Sequence, residues 1–494
     1  TWRLRRWARL KMRYQWNAYY FAAAILLAAS GVEASNNGQA LTPPRGFSTW
    51  NAYSYIGIDE ATCYRYMNAL VKRGLNKLNY TYFIVDEPCF TGRDASGALI
   101  ENKTTWPHGL KAFGASLREH GMKLGTYTCV GPKTCGGCIA SEGHEDQDVA
   151  TFASWGVEYL KVDSCSRNCT AAAGIPGGNK TVCGETLWSR YAAAMKRHKT
   201  VAGEEMLYSI IGNLAPGRNG GNPPWKWGAS IANSWRTNID VQNGYSFLHY
   251  IVDAERRLSG NGSWCPTDPR DPNGAGFPCA DGITCHTNAQ CPGPQAFSGP
   301  GHWNDMDMLI IGTATNFKPP FCPTMTPPPG SACVKPRAWD NMTLAQSRSQ
   351  MSMWTILKSP LLISADLTDT SPSTVAFVDI LANPEVLAVH DDPLGNEARR
   401  LGDSGYHGDQ SVGEIYVSAM ANGAHAVVMF NRNSAPIRMT LEITDVCGQS
   451  SKSVKHFTVR DVWTHTNNGT VSCDGSVTAM VGGDDVVMIL LRTV

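Results

Sequence analysis

Polar and charged side chains recur at one kind of place in this sequence, directly at the end of short apolar runs. They are Trp50, Asp86 with Glu87, Tyr127, Lys161 with Asp163, Arg236 with Asp240, and Asp305 with Asp307. A single acid after a strand is ordinarily the cap of the helix that follows it. Acids that recur after four separate runs are harder to explain by capping, and they predict several carboxylates around one opening.

Paired carboxylates around an opening are typical of glycoside hydrolysis. One carboxylate attacks or stabilises an oxocarbenium-like carbon, and the other protonates the leaving oxygen. Lys161 lies two residues before Asp163, so strand alternation places both on one face. Its charge is expected to keep Asp163 ionised, as a nucleophile requires. Asp240, as the acid, must instead hold its proton near the working pH.

Metal and serine chemistry are the rival interpretations of such a cluster. The 12 histidines show neither HxH nor HExxH spacing, which argues against a zinc site. The chain also lacks the GxSxG elbow of the Ser/His/Asp hydrolases. We therefore expect no metal and no cofactor.

The segments that carry these residues read as eight strands separated by helices. The predicted strands are 47–53, 80–86, 123–128, 158–162, 206–211, 234–239, 302–309 and 361–365. Their mostly continuous apolar character predicts parallel strands buried on both faces. The pattern favours a (β/α)₈ barrel, with catalytic groups at the carboxyl ends of its strands. A doubly wound open sheet is the alternative that the alternation leaves open.

Helix signals lie between the predicted strands. Asp59 can cap a helix that runs to Arg73 and stops at Gly74. Leu110 begins an apolar stripe that stops near residue 121, and further helices are predicted at 188–199 and 343–358.

Composition changes twice toward the end of the chain. Residues 260–300 and 315–340 are rich in Gly, Pro and Cys and predict long loops on either side of the seventh strand. After residue 393, alternating runs at 414–420, 424–431, 438–443 and 486–491 predict a small antiparallel β-domain. Cys447 and Cys473 are expected to pair there. The predicted boundaries are 41–393 for the catalytic barrel and 395–494 for the C-terminal β-domain.

Several features indicate the secretory pathway. The chain has 16 cysteines, scattered among Asn-x-Ser/Thr acceptors at Asn79, Asn102, Asn168, Asn179, Asn261, Asn341 and Asn468. Residues 12–34 have a basic start, an apolar run of about twelve residues and a small-residue ending. That run is shorter than the roughly 20 residues of a spanning helix. We expect residues 1–34 to comprise upstream residues and a signal peptide, and no membrane association after its cleavage.

The net charge of +1 gives no electrostatic reason to expect nucleic acid as a partner. The expected destination is extracellular, vacuolar or lysosomal. Oligomeric state stays open, with a homodimer as one arrangement.

Six motifs carry a specific resemblance. They are GFSTWN at 46–51, YLKVDSC at 159–165, SWRTNID at 234–240, GPGHWNDMDM at 299–308, SPLLI at 359–363 and DPLG at 392–395. In this order they resemble the α-galactosidase (melibiase) family of retaining glycosidases, glycoside hydrolase family 27. The similarity runs from about residue 42 to the end of the chain.

The resemblance implies hydrolysis of terminal, non-reducing α-D-galactosyl residues from an oligosaccharide or glycoconjugate. It implies that Asp163 is the nucleophile, that Asp240 is the acid/base, and that Cys135 is bridged to Cys165. The remaining residues expected around the sugar are Trp50, Asp86, Glu87, Tyr127, Cys135, Lys161, Asn213, Arg236 and Asp307.

Two departures from the family pattern affect the identity of the sugar. Glu87 stands where the family usually has a second Asp, and Pro88 is inserted before Cys89. The strand-five motif is replaced by Ile-Ile-Gly-Asn ending at Asn213, near the C2 side of the sugar. These departures leave α-N-acetylgalactosaminidase or β-L-arabinopyranosidase activity as alternatives. A sugar-binding protein without turnover is the alternative from another class.

Overall fold

The structure is a computed structural model. It describes residues 37–53, 58–212, 223–238, 240–241, 251–252, 298–311, 342–401, 413–447 and 456–494. The predicted signal segment, Asn213 and the six loop cysteines from Cys265 to Cys333 lie outside these residues.

Eight short parallel strands form one sheet. They are β1 Arg45–Ser48, β2 Tyr82–Val85, β3 Lys123–Cys129, β4 Val157–Asp163, β5 Leu207–Ile210, β6 Ser234–Arg236, β7 Trp303–Asp305 and β8 Leu361–Ile363. The strand order runs from β8 through β1 to β7, each strand beside its neighbour in sequence. Leu309, just after β7, makes a parallel bridge with Ile363 of β8, which closes the sheet. The predicted (β/α)₈ barrel is confirmed.

Helices alternate with the strands. They are α1 Thr49–Tyr53, α2 Glu60–Lys72, α3 Leu110–Glu119, α4 Glu145–Trp155, α5 Lys180–Arg197, α6 Leu344–Ile356, α7 Pro372–Leu381 and α8 Pro384–His390. The Asp59 carboxylate accepts the Thr62 N–H at 2.6 Å and begins α2, as predicted. Gly74, just after that helix, has a φ of 71°, which favours glycine over residues with a side chain.

Several element predictions were wrong at their boundaries, among them the seventh strand, which was predicted at 302–309 and is found at Trp303–Asp305. The first strand ends at Ser48, and the residues from Thr49 to Tyr53 are helical. The fifth helix begins at Lys180, eight residues before the predicted start at 188, because the Asn179 side chain caps it by accepting the Thr181 N–H. The first turns of that helix carry few apolar residues, so periodicity revealed only its second half.

Buried tryptophans fasten the strand ends that carry the polar residues. The indole N–H of Trp188 donates to the Val162 carbonyl, next to Asp163, at 3.0 Å. The indole N–H of Trp354 donates to the Asp307 carbonyl at 2.7 Å. Because both rings are fully buried, these bonds fix the backbone beside two candidate site residues.

The C-terminal region is antiparallel. Its strands are β9 Arg399–Leu401, β10 Glu414–Ala419, β11 His425–Phe430, β12 Ile437–Glu442, β13 His456–Asp461, β14 Thr466–Ser472, β15 Ser476–Val481 and β16 Val486–Thr493. Six of them form one sheet in the order β9, β10, β11, β16, β13, β14, while β12 pairs with β15. A separate apolar cluster lies between these layers. The four predicted strands are found here, and the other four escaped prediction because their runs are short or polar.

Four disulfides join described residues. The expected bridges Cys135–Cys165 and Cys447–Cys473 are both formed. Two further bridges, Cys89–Cys138 and Cys169–Cys183, were not predicted. Three of the four bridges therefore involve the loops that follow β2, β3 and β4, and one of these three ties the loop after β4 to α5.

Residues 372–390 are long and apolar enough, by length and composition alone, to cross a membrane. They form two helices, with Asn383 capping the second, and 44% of the segment is buried inside the protein. Val378 and Val386 belong to the main apolar cluster, as expected of core helices.

Candidate active site

The predicted site residues lie at the carboxyl end of the barrel. The structure places Asp86 and Glu87 after β2, Tyr127 in β3, Lys161 and Asp163 in β4, Arg236 in β6, and Asp240 and Asp307 in the segments that follow β6 and β7. Trp50 lies half-buried in α1, just after β1. Only Asn213 of the predicted set falls outside the described residues.

Asp163 is the last residue of β4, and neighbouring donors hold both of its oxygens. The Tyr127 hydroxyl donates to Oδ2 at 3.2 Å. The backbone N–H of Ser164 donates to Oδ1 at 2.5 Å. Burial raises the pKa of Asp163, while the charge of Lys161 and the Ser164 N–H act in the opposite direction. The carboxylate is thus held in one orientation at the opening of the barrel.

Lys161 pairs directly with Asp86 rather than with Asp163. Its Nζ lies 2.7 Å from Asp86 Oδ2 and 5.2 Å from the centre of the Tyr127 ring. Burial alone would lower the pKa of Lys161, but Asp86 and Asp163 raise it above the ordinary value. Lys161 therefore stays charged, and it acts on the Asp163 carboxylate through its electric field.

Arg236 links two acids on the opposite side of the opening. Its guanidinium lies 2.8 Å from Asp307 Oδ2 and 3.2 Å from Asp240 Oδ1. Asp307 has a φ of 78°, and its Oδ2 also accepts the Val241 N–H at 2.6 Å. A non-glycine residue in this left-handed region costs conformational energy, which the surrounding hydrogen bonds must offset. Asp307 is therefore held in place by groups on both sides.

The two proposed catalytic acids differ in exposure. The Asp240 side chain is 62% exposed, whereas its partner Arg236 is buried. Asp240 nevertheless contributes to the electrostatic field at Asp163, where its charge raises the pKa. Asp240 is thus bound to Arg236 on one side and open to solvent on the other.

Glu87 is buried and has a φ of 51°. Its Oε1 accepts the Gly136 N–H at 2.9 Å. Its Oε2 has no hydrogen-bond partner among the residues that the structure describes. Burial raises the pKa of Glu87. The loop that contacts it contains Cys135, which the bridge to Cys165 fastens beside the end of β4.

Sequence reasoning missed Cys129, a buried residue at the end of β3. The Tyr127 hydroxyl lies 3.1 Å from its Sγ and 3.1 Å from the Sγ of Cys135. Strand alternation could have indicated Cys129, because residues 127 and 129 lie on the same face of a strand.

Comparisons with known proteins agree on one family. The family model described as alpha galactosidase A matches residues 54–265, and that of the alpha galactosidase C-terminal beta sandwich domain matches 411–491. An α-galactosidase of Lachancea cidri is 30% identical over 87% of this chain and 79% of its own length. This chain belongs to the α-galactosidase family.

Other family members agree over similar lengths. An α-galactosidase of Oryza sativa subsp. japonica is 29% identical over 93% of this chain and 86% of its own. The solved structure of α-galactosidase I from Mortierella vinacea superposes with a TM-score of 0.67 at 26% identity, covering 92% of this chain and 98% of that one. The family resemblance inferred from six motifs is confirmed over most of the chain. The prediction that this protein is a glycosidase is confirmed with it.

Proposed function

We propose that this protein is a retaining exo-glycosidase that hydrolyses terminal, non-reducing α-D-galactosyl residues. Asp163 is the nucleophile and Asp240 the acid/base. The observation that carries this proposal is the contrast between the two carboxyl groups. Asp163 is held through both oxygens, as an attacking group must be, while Asp240 faces solvent, from which the second step draws its water.

The reaction then proceeds in two displacements. Asp163 attacks the anomeric carbon while Asp240 gives its proton to the leaving oxygen, so a glycosyl ester forms as the glycosidic bond breaks. Asp240, now a carboxylate, removes a proton from water, and that water attacks the same carbon and releases the sugar. Lys161 and Arg236 remain charged throughout and stabilise the carboxylates around the reacting centre.

Three buried polar atoms favour a sugar as the ligand. Asp86 Oδ1, Glu87 Oε2 and Arg236 Nε have no hydrogen-bond partners within the described chain. Buried atoms of this kind cost free energy unless a ligand or water satisfies them. Ring hydroxyls are both donors and acceptors, so they suit two carboxylates and a guanidinium at once.

A panel of nitrophenyl glycosides tests the sugar. We expect the α-D-galactoside to have the highest kcat/KM. A higher value for the β-L-arabinopyranoside or for the α-N-acetylgalactosaminide would overturn this choice and point to Glu87 or to the segment ending at Asn213. Galactose binding by the wild-type protein without any turnover would instead support a sugar-binding protein.

The stereochemical outcome tests the mechanism separately. Proton NMR of the reaction should show α-galactose as the first product, followed by slow mutarotation. First formation of β-galactose would indicate inversion and would exclude a covalent intermediate at Asp163.

The four disulfides are compatible with an oxidising compartment. The proposal includes cleavage after Ala34, a barrel at 41–393, a β-domain at 395–494, and an extracellular, vacuolar or lysosomal destination. Amino-terminal sequencing of protein recovered from a eukaryotic secretion host should begin just after residue 34. A chain that retains residues 12–34 would contradict this.

A further inference from the structure

Three cysteine sulfurs meet beside Asp163. The Sγ atoms of Cys129, Cys135 and Cys165 all lie within 4.8 Å of one another. Cys135 and Cys165 are bridged, whereas Cys129 is a free, fully buried thiol. A thiol at this distance from a disulfide can reach it by a side-chain rotation.

We propose that Cys129, Cys135 and Cys165 form a thiol–disulfide exchange site. The Cys129 thiolate attacks the Sγ of Cys165, and a Cys129–Cys165 bond forms as the Cys135–Cys165 bond breaks. Cys135 leaves as a thiolate and takes a proton from water, while the proton of Cys129 goes to hydroxide. One thiol and one disulfide are present before and after, so no oxidant or reductant is consumed.

The contacts of Cys129 favour this attack. The backbone N–H of Cys165 lowers the pKa of the Cys129 thiol against the effect of burial, and the Tyr127 hydroxyl lies 3.1 Å from the Cys129 sulfur. The same hydroxyl contacts the Sγ of Cys135 at 3.1 Å, so it lies against the bridge as well as the thiol. Tyr127 therefore contacts both the attacking sulfur and the sulfur that leaves.

The exposure of the three residues decides which sulfur leaves. Cys135 is exposed, Cys165 is half-buried and Cys129 is buried. A thiolate that water can solvate has a lower pKa and is the better leaving group. Attack at Cys165 therefore moves the free thiol from the interior to the surface.

The groups that face Cys129 also make the exchange slow at neutral pH. Burial raises the pKa of its thiol, and the negative charges of Asp163 and Glu87 raise it further. The buried ring of Tyr191 packs from α5, where its hydroxyl donates to the Cys129 carbonyl. Because only the thiolate attacks, the exchange rate should rise about tenfold per pH unit above neutrality.

The exchange has a consequence for Asp163, which rests on the proposed function. Cys165 follows Asp163 by two residues, and the Ser164 N–H between them holds Asp163 Oδ1. Pulling Cys165 toward Cys129 displaces that N–H. The exchanged form should therefore turn over substrate more slowly than the original one.

The test is an alkylation experiment on the oxidised protein without any reductant. Protein is incubated with iodoacetamide at pH 7, 8 and 9, quenched in acid, and mapped by peptide mass spectrometry. We expect the label on Cys135, together with a Cys129–Cys165 peptide pair, growing about tenfold per pH unit. Cys129→Ala should abolish the label, whereas Cys63→Ala, which removes the other free buried thiol of the described chain, should not change it.

Label on Cys129 with the Cys135–Cys165 pair intact would overturn the proposal, and so would the absence of label from all three residues. The mapping needs no substrate, so it stands even if the protein hydrolyses no glycoside. In an active preparation, kcat should fall in proportion to the label on Cys135, and full activity at complete labelling would contradict the link to Asp163.

Discussion

Both ends of the barrel bury a lysine, but the bonds of the two lysines run to different partners. At the amino end, Lys358 donates to the carbonyls of Val389 and His390. At the carboxyl end, Lys161 pairs with the Asp86 carboxylate. Buried charge therefore does not mark a reaction centre by itself. The bonds of Lys358 fasten chain segments together, whereas the bond of Lys161 holds a charge among the carboxylates of the opening.

Asp392 shows what a carboxylate does at the amino end. Both of its oxygens accept the Ala421 N–H, at 3.1 and 3.0 Å, and Oδ1 also accepts the Leu394 N–H at 3.2 Å. It lies in a motif that helped to indicate the family, yet its contacts join the barrel to the C-terminal strands. The comparison predicts that changes at the carboxyl end alter turnover and that changes at the amino end alter stability.

The largest expected effect comes from Asp163→Asn. The amide cannot form the glycosyl ester, so kcat should fall by roughly 10⁴-fold or more. Its matched control is Asp392→Asn, the same chemical change at the other end. That variant should keep kcat and lose about 1–3 kcal/mol of unfolding free energy, because the amide replaces an acceptor by a donor. Steady-state kinetics measures kcat of both variants, and urea unfolding measures their free energies of unfolding. Equal losses of kcat would contradict the proposed difference between the two ends of the barrel.

Asp240→Asn should depend on the leaving group. A natural α-galactoside needs a proton on its leaving oxygen, so we expect kcat/KM to fall by about 10²–10⁴-fold. A nitrophenolate leaves without that proton, and its galactoside should show a much smaller loss. The ratio of the two losses is the measurement. Similar losses for both substrates would assign Asp240 a positioning role through Arg236 instead of proton transfer.

Strand-end placement explains how much of the site could be predicted from the sequence. Acids after buried runs of a parallel barrel must gather at one edge, so Asp86, Asp163 and Asp307 could be placed without coordinates. The choice of ion-pair partner could not be predicted. Alternation put Lys161 on the face of Asp163, but the register of neighbouring strands brings Asp86 to its ammonium group.

The cysteines show the same limit. Four of the paired cysteines lie close together in the loops after β2, β3 and β4, and spacing alone does not select their partners. Family resemblance supplied Cys135–Cys165, whereas Cys89–Cys138 and the approach of Cys129 depend on how those loops fold over the barrel. Contacts between these loops join residues that are far apart in the sequence, so no local sequence pattern predicts them.

Tyr127→Phe should have an intermediate effect. It removes the O–H that donates to Asp163 Oδ2, and a hydrogen bond to a charged group contributes about 1.5–3 kcal/mol. We expect kcat to fall by about 10- to 100-fold. Tyr80→Phe is the control, since that buried hydroxyl donates to the Leu381 carbonyl, and it should leave kcat unchanged. A normal kcat in Tyr127→Phe would show that Ser164 alone orients the carboxylate.

The titration of Lys358 should have the smallest effect of these predictions. It is measured at the amino end of the barrel as a pH dependence of the free energy of unfolding. Burial lowers its pKa to about 8, against roughly 10.4 in an unfolded chain. Between these values the unfolded chain binds a proton that the native protein has lost, so the free energy of unfolding rises with pH. The rise contributed by Lys358 should be about 1 kcal/mol from pH 7 to pH 9.

Lys358→Met removes this titration and keeps a long side chain at the same position. Urea unfolding of both proteins at pH 7 and pH 9 should give a smaller pH dependence in the variant, because all other titrating groups are shared. Equal pH dependence would mean that the Lys358 ammonium is fully stabilised by the carbonyls of Val389 and His390 and by the nearby carboxylates. The ammonium group at the amino end would then be stabilised as fully as that of Lys161 at the carboxyl end. The distinction between the two ends would rest on Asp392 alone.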